Sequence, residues 1–350
     1  MGWWTDMYSK ALVDDVRSQA MYIDYSGGIP EGLLQWLYEE RLFKLFIPKE
    51  LGGRMLDLPV ALQVFQKVSE MEGNLGWLTA IGSGGGMFIP TIEKSLAAQL
   101  FKNEQAVIAG SGYPNGKARK IDGGYIVSGE WKYCSGSPFA SFYTANSLTE
   151  AGEMLSFIFM PHQVEIIEDW NALGLRGTGS HTMRVKNALV SEEYTFKLDV
   201  PQNEYSGPVH SFPFIPFSQS SFMAVCLGIT EHFYQEARKI VKRRIKNGDT
   251  KFEPVDLLLT EQETIFQQKV DIFYREIEKL WNLHVKGNSL SEKEINQFSK
   301  MCKEDLQMMM QGVDSLLRYL GMDAVMETSS LNKIWRDLHT ASQHGFITPL

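Results

Sequence analysis

SGEWKYCSGSPFA, residues Ser128 to Ala140, is the stretch whose reading decides the fold of this chain. A glycine turn, Asp122-Gly123-Gly124, precedes it, and Tyr125-Ile126-Val127 is aromatic and β-branched, which favours a strand. A second polar–aromatic alternation follows and ends in Cys134-Ser135-Gly136. A hydroxyl beside a glycine at a strand end can approach a flat ligand closely, because glycine carries no side chain to block it.

Outward from this segment, short β-type runs alternate with Gly, Pro and Asn turns. They are Val107-Ile108, Phe142-Tyr143-Thr144, Leu155 to Met160 and Met183 to Val190. Strands at this spacing predict a small β-barrel or sandwich, closed by a Pro/Gly-rich linker from Pro201 to Pro216. Upstream the texture is helical. Pro30 suits a helix start, Leu33, Leu34 and Leu37 form a stripe, and Val60, Val64, Val68 and Met71 recur at helical spacing. Downstream, Phe222 to about Lys246 predicts one long helix stopped by Asn247-Gly248. Phe266, Val270, Phe273, Ile277 and Leu280 form one seam, and Leu306, Met310, Val313, Leu317 and Leu320 a second. Two such seams predict antiparallel helices of a bundle, the second opened by a capping box of Ser291 and Glu294. Met308 to Met310 read as core filler. The expected fold is α+β: a helical domain over 1–103, a middle β-barrel domain over 104–205 and a helical bundle of four helices over 206–350.

Composition narrows the function. A formal net charge of −8 without a basic stripe argues against nucleic acid, since phosphate neutralisation dominates that affinity. The basic run Lys239 to Arg244 reads as a solvated helix face or as a contact to an anionic ligand. Cys134, Cys226 and Cys302 match no zinc or redox spacing and read as reduced thiols. The start, MGWWTDMYSK, lacks a basic lead into an apolar core and is not read as a signal peptide. The expectation is a cytoplasmic protein without a membrane span. Gly82, Gly84, Gly85 and Gly86 fail the dinucleotide pattern because Met87 takes the last glycine position. A P-loop and a nucleophile elbow are absent. His339 and His344, five apart, face different sides of a helix and do not make a zinc pair. No metal is expected.

Four segments together resemble the acyl-CoA dehydrogenase superfamily, and the resemblance covers essentially the whole chain. They are AGSGYPNGKA (109–118), SGEWKYCSG (128–136), DWNALGLRGTGS (169–180) and IWRDLHTASQH (334–344). The second and fourth look most like the superfamily's flavin-dependent monooxygenase branch. The resemblance implies a flavin, FAD or FMN, supplied reduced. It sets Gly110, Ser111 and Gly112 along the cofactor, Tyr133 over its ring, Ser135 against N5, and Arg176, Thr178 and Ser180 beside it. It sets Arg244 toward a neighbouring subunit's cofactor, which favours FAD.

An acyl-CoA dehydrogenase needs a carboxylate base. By motif register the two base positions fall on Gly345 and Ser218, neither of them an acid. A two-component monooxygenase needs no such base. It takes reduced flavin from a separate reductase and transfers one atom of O2 to a substrate, here read as a small aromatic. His344, titrating near neutral pH, and Ser135 are the candidate catalytic residues. Phe214, Phe217 and His339 are the candidate pocket wall. The segment after Gly76-Trp77 lacks a histidine that this branch commonly carries. The alternatives are an acyl-CoA dehydrogenase-type oxidoreductase and a non-catalytic flavin-fold relic. The resemblance also implies a homo-oligomer, a tetramer built as a dimer of dimers.

Overall fold

A computed structural model describes residues 7–349. Met1 to Asp6 of the MGWWTDMYSK start lie outside the described residues. Helices come first: α1 (Lys10–Ser18), α2 (Ala20–Ser26), α3 (Glu31–Glu39), α4 (Leu58–Met71), α5 (Gly73–Gly84) and α6 (Lys94–Phe101). Three of them, α1, α5 and α6, start at side chains that accept otherwise unpaired backbone N–H groups: Ser9 from Leu12, Glu72 from Leu75 and Glu93 from Leu96. Gly84 has open space around it, while Gly82, Gly85 and Gly86 are packing positions. Side chains there would collide with Phe43 at Gly82, Ile108 at Gly85 and Ile47 at Gly86.

Seven strands follow: β1 (Ile108–Ile121), β2 (Gly124–Cys134), β3 (Phe142–Thr149), β4 (Met154–Phe159), β5 (Glu165–Ile167), β6 (His181–Ser191) and β7 (Thr195–Phe196). They form one sheet in the order β5-β6-β2-β1-β3-β4-β7. Trp131 on β2, Phe157 and Phe159 on β4, and Met183 and Val185 on β6 share a single buried core. Strands this far apart in the order share a core only if the sheet curls around it, as a barrel does. The curl leaves β5 and β7 as edges, unpaired with one another. Three register breaks interrupt the ladder, between Ser111 and Gly116, between Trp131 and Cys134 and between Val127 and Gly129. The second is a bulge on which Tyr133 adopts φ +66°, a left-handed conformation uncommon for a bulky residue.

The last third holds α7 (Phe214–Lys246), α8 (Glu253–Val285), α9 (Glu292–Leu317), α10 (Met322–Val325) and α11 (Ser330–Ala341). The long helix begins eight residues before the expected Phe222. Phe214 and Phe217 are therefore helical and not linker, and Pro216 is tolerated in the first turn, where its missing N–H has no intrahelical partner. The α8 seam is buried along its whole length, each large side chain contributing about 1.5–3 kcal/mol by leaving water. The Ser291–Glu294 capping box is formed. Of the three methionines only Met309 is buried, while Met308 is exposed. Helix α7 is the central strut: α4, α5, α8, α9 and α11 all pack on it. Among the described residues no helix is long and apolar enough to cross a membrane.

Candidate functional site

Ser135 ends β2 and is almost fully buried, with 5% of its surface exposed. Its Oγ accepts from Trp77 Nε1 on α5 at 2.9 Å and lies 2.7 Å from Ser180 Oγ. Ser180 Oγ is in turn 2.7 Å from Thr178 Oγ1, which donates to the carbonyl of Leu175 at 2.8 Å. That carbonyl also accepts from Trp170 Nε1 at 2.9 Å. The 3-10 turn Arg176–Thr178 brings these hydroxyls together, and Gly136 N donates to Thr178 O at 2.8 Å to tie the turn to the strand end.

A buried ionic cluster fixes the same turn from below. Leu175 N donates to Asp337 Oδ1 at 2.6 Å, and Gly177 N to Asn74 Oδ1 at 2.9 Å. Lys333, on the same face of α11 as Asp337, pairs with Asp337 Oδ2 at 2.7 Å and with Glu72. Glu72 also holds Asn74 and caps α5. Arg336 makes a two-pronged pair with Asp24 on α2, at 3.0 and 2.6 Å, and donates to Leu173 O. Gly174 is glycine because α11 passes against it: a Cβ there would lie 2.2 Å from the Arg336 carbonyl. The Arg-Asp pair of the fourth segment thus clamps the third segment.

His344 follows α11 in a box of rings. Its imidazole stacks on Phe222 with centroids 3.6 Å apart, and Phe346 and Trp77 lie at 5.6 and 5.8 Å. Burial pushes its pKa down to about 4, so the ring is neutral at pH 7. Phe346 N donates to Nδ1 at 3.4 Å, which leaves the proton on Nε2. Trp77 joins the two halves, since the indole that faces His344 also donates to Ser135. Tyr113 reaches in from β1, its hydroxyl 3.9 Å from where a side chain at Gly345 would begin.

The structure brings Ser135, Thr178 and Ser180 together by hydrogen bonds and Phe214 to the rim, 5.7 Å from Phe346 by ring centroids. Tyr133 stands beside them with 66% of its surface exposed and its ring edge-on to Trp170. Gly110 packs on the Thr144 carbonyl, while Ser111 and Gly112 continue β1 toward its register break. Arg176 Nε turns back on Ala172 O.

Two expected pocket residues stand elsewhere, and Arg244, expected at a neighbouring subunit's cofactor, lies far from this site. His339 lies on α11 between Trp335 and Asp314, whereas His344 comes after the helix has ended. Phe217 packs into the core on Phe46, one helical turn from Phe214. Arg244 sits near the far end of α7, 22 residues or about 33 Å from Phe222, over Phe252 and beside Asp323. Trp77, Phe222, Phe346 and Asn74 were not foreseen. The only local signal for any of them is the Gly76-Trp77 pair. Among the described residues no group of His, Cys, Asp and Glu is placed to hold a metal ion.

Residues 220–349 match the family model for the C-terminal domain of acyl-CoA dehydrogenases. Indole-3-acetate monooxygenase of Pseudomonas putida is 24% identical over 97% of this chain and 89% of its own. The flavin-dependent monooxygenase oxygenase subunit HsaA of Rhodococcus jostii is 22% identical over 97% and 93%. The crystal structure of 3-HSA hydroxylase from Rhodococcus sp. RHA1 superposes with a TM-score of 0.90 at 21% identity, over 97% of this chain and 92% of that one. Through that C-terminal domain the chain is similar to the acyl-CoA dehydrogenase superfamily. Over nearly its whole length it is similar to proteins named as flavin-dependent monooxygenases.

Proposed function

We propose that this protein is the oxygenase component of a two-component monooxygenase that uses reduced flavin and O2 on a small aromatic substrate. The observation that carries the reading is the chemistry beside Ser135. A neutral histidine in an aromatic box stands there, with Gly345 and Ser218 where a dehydrogenase needs a carboxylate. Without that base the acyl-CoA dehydrogenase alternative lacks its proton acceptor.

A flavin suits this surface. Ser135 Oγ keeps one lone pair free of the hydrogen bonds described, and Tyr133 and Trp170 offer partly exposed rings beside it. A reduced flavin bound there supplies the electrons that activate O2. Tyr133 would cover its ring, and the Gly110–Gly112 backbone and the 174–180 turn would line it. His344 presents Nε2–H as a hydrogen-bond donor, its Nδ1 being engaged by Phe346 N. Trp77, Phe222, Phe346 and Phe214 exclude water and favour a flat apolar substrate. FAD as the flavin, Arg244 as a contact to a neighbouring subunit's cofactor, a homotetramer and a cytoplasmic location belong to the same reading.

The test supplies chemically reduced FAD or FMN and O2 with a panel of phenols and other aromatics, and measures hydroxylated product against hydrogen peroxide. Product above the flavin-only control is expected. Flavin oxidation that yields only peroxide with every substrate would favour the relic.

A further inference from the structure

The hydroxyls between Trp77 and Leu175 form a chain whose direction is fixed at the Leu175 end. A carbonyl only accepts, so the single proton of Thr178 Oγ1 is committed to Leu175 O. The 2.7 Å contact to Ser180 then needs the proton of Ser180, and the 2.7 Å contact to Ser135 needs the proton of Ser135. At the other end an indole N–H only donates, and Trp77 Nε1 occupies one lone pair of Ser135. All four groups point one way, toward the Leu175 peptide whose N–H is held by Asp337. Aligned hydrogen bonds polarise one another, which strengthens the preference.

Ser135 therefore has no proton left to give. Its remaining lone pair can only accept. Reversing the chain would free the Ser135 proton, but it would leave Thr178 Oγ1 and Leu175 O facing each other at 2.8 Å without a proton between them. A lost buried hydrogen bond of this kind corresponds to roughly tenfold in an equilibrium.

We propose that this one-way chain, set by Thr178, Ser180 and Trp77, makes Ser135 a hydrogen-bond acceptor and so selects the reduced form of the flavin. The proposal rests on the flavin reading above and on Ser135 facing N5. Reduced flavin carries N5–H, a donor that meets the Ser135 lone pair. Oxidised flavin carries a bare N5, an acceptor that meets the same lone pair and gains nothing. Thr178 and Ser180 act through Ser135 and are positioning residues.

The experiment measures dissociation constants of the purified protein for FAD and for FMN, each oxidised and, under argon, dithionite-reduced. The wild type is expected to bind the reduced form about tenfold or more tighter, a ratio equivalent to a shift of about 30 mV in the bound two-electron potential. Thr178→Val removes the link to Leu175 O and lets the chain reverse. It should tighten oxidised binding and bring the ratio toward one. Ser180→Ala, which frees the Ser135 proton directly, should do the same and serves if the first variant does not fold. Ser135→Ala should reach a ratio near one by the opposite route, by weakening reduced binding. A merely structural role for Thr178 or Ser180 would weaken both forms alike. An unchanged ratio, or equal weakening, in both variants overturns the inference and leaves the flavin reading standing. Binding of neither form to the wild type overturns both.

Discussion

Lys333→Met tests whether the buried ionic cluster holds the site together. Lys333 is the cation between Glu72 and Asp337, and all three side chains are at most 3% exposed. Methionine follows the lysine stem closely, so the loss is mostly charge. Removing one partner from a buried ion pair costs about 3–5 kcal/mol, because the remaining charges stay buried without compensation. Two carboxylates are left here, so about 4 kcal/mol is a reasonable value. At about 2.1 cal/mol/K per residue, the unfolding entropy of 350 residues is near 0.7 kcal/mol/K, and the melting temperature should fall by about 5 °C. Circular dichroism melts at pH 7 would read this. Amide exchange at Leu175 and Gly177 should quicken, since Asp337 and Asn74 hold those two N–H groups. Glu72→Gln combined with Lys333→Met should melt above Lys333→Met alone. A glutamine oxygen still caps Leu75, and one of the stranded charges is gone. A single variant that melts within about 1 °C of wild type, or a double variant that melts below it, would refute the reasoning.

Two further outcomes follow from the same site. Burial lowers the folded-state pKa of His344 to about 4, against about 6.5 unfolded. Between those values the unfolded chain binds a proton that the folded chain does not, so stability is lost as pH falls from about 6.5 toward 4, by up to about 3 kcal/mol. His344→Phe should flatten the fall in melting temperature between pH 7 and pH 5; His210 and His232, also shifted down by burial, keep the remainder. An unaltered pH profile in the variant would place the imidazole in water. Ser135→Ala should release more hydrogen peroxide per reduced flavin oxidised in the presence of substrate, a lost buried hydrogen bond costing about 1 kcal/mol or more. An unchanged ratio of product to peroxide would remove Ser135 from the reaction.

Much of this was legible because it is local. β-branched residues and alternation marked β2, and seams spaced four and three marked α8 and α9. The five-residue gap already separated His339 from His344. The start of α7 was hidden by Pro213 and Pro216, which look like linker but serve as the residue before the helix and part of its first turn. Tyr133 gave no sign of its bulge, since a left-handed tyrosine runs against local preference and is imposed by pairing with β6. The partners of Ser135 are 58 and 45 residues away, and Glu72 lies 261 residues from Lys333. No periodicity encodes such distances. Lys333 and Asp337 stand four apart on one helix face, but no local pattern joins either of them to Glu72.

Those long separations make the site a late product of folding. The hairpins of β1 with β2 and of β3 with β4 close through neighbours in sequence, and nothing prevents them from forming early. The turn that aligns Thr178 and Ser180 waits for Asp337, 162 residues downstream of Leu175, and a loop of that length is slow to close. A chain still emerging from the ribosome, or one cut before Ser330, carries Ser135 and Trp77 but lacks the clamp that orders the turn beside them. Ligand competence therefore arrives with the last long helix, and its appearance in a refolding experiment times the docking of α11.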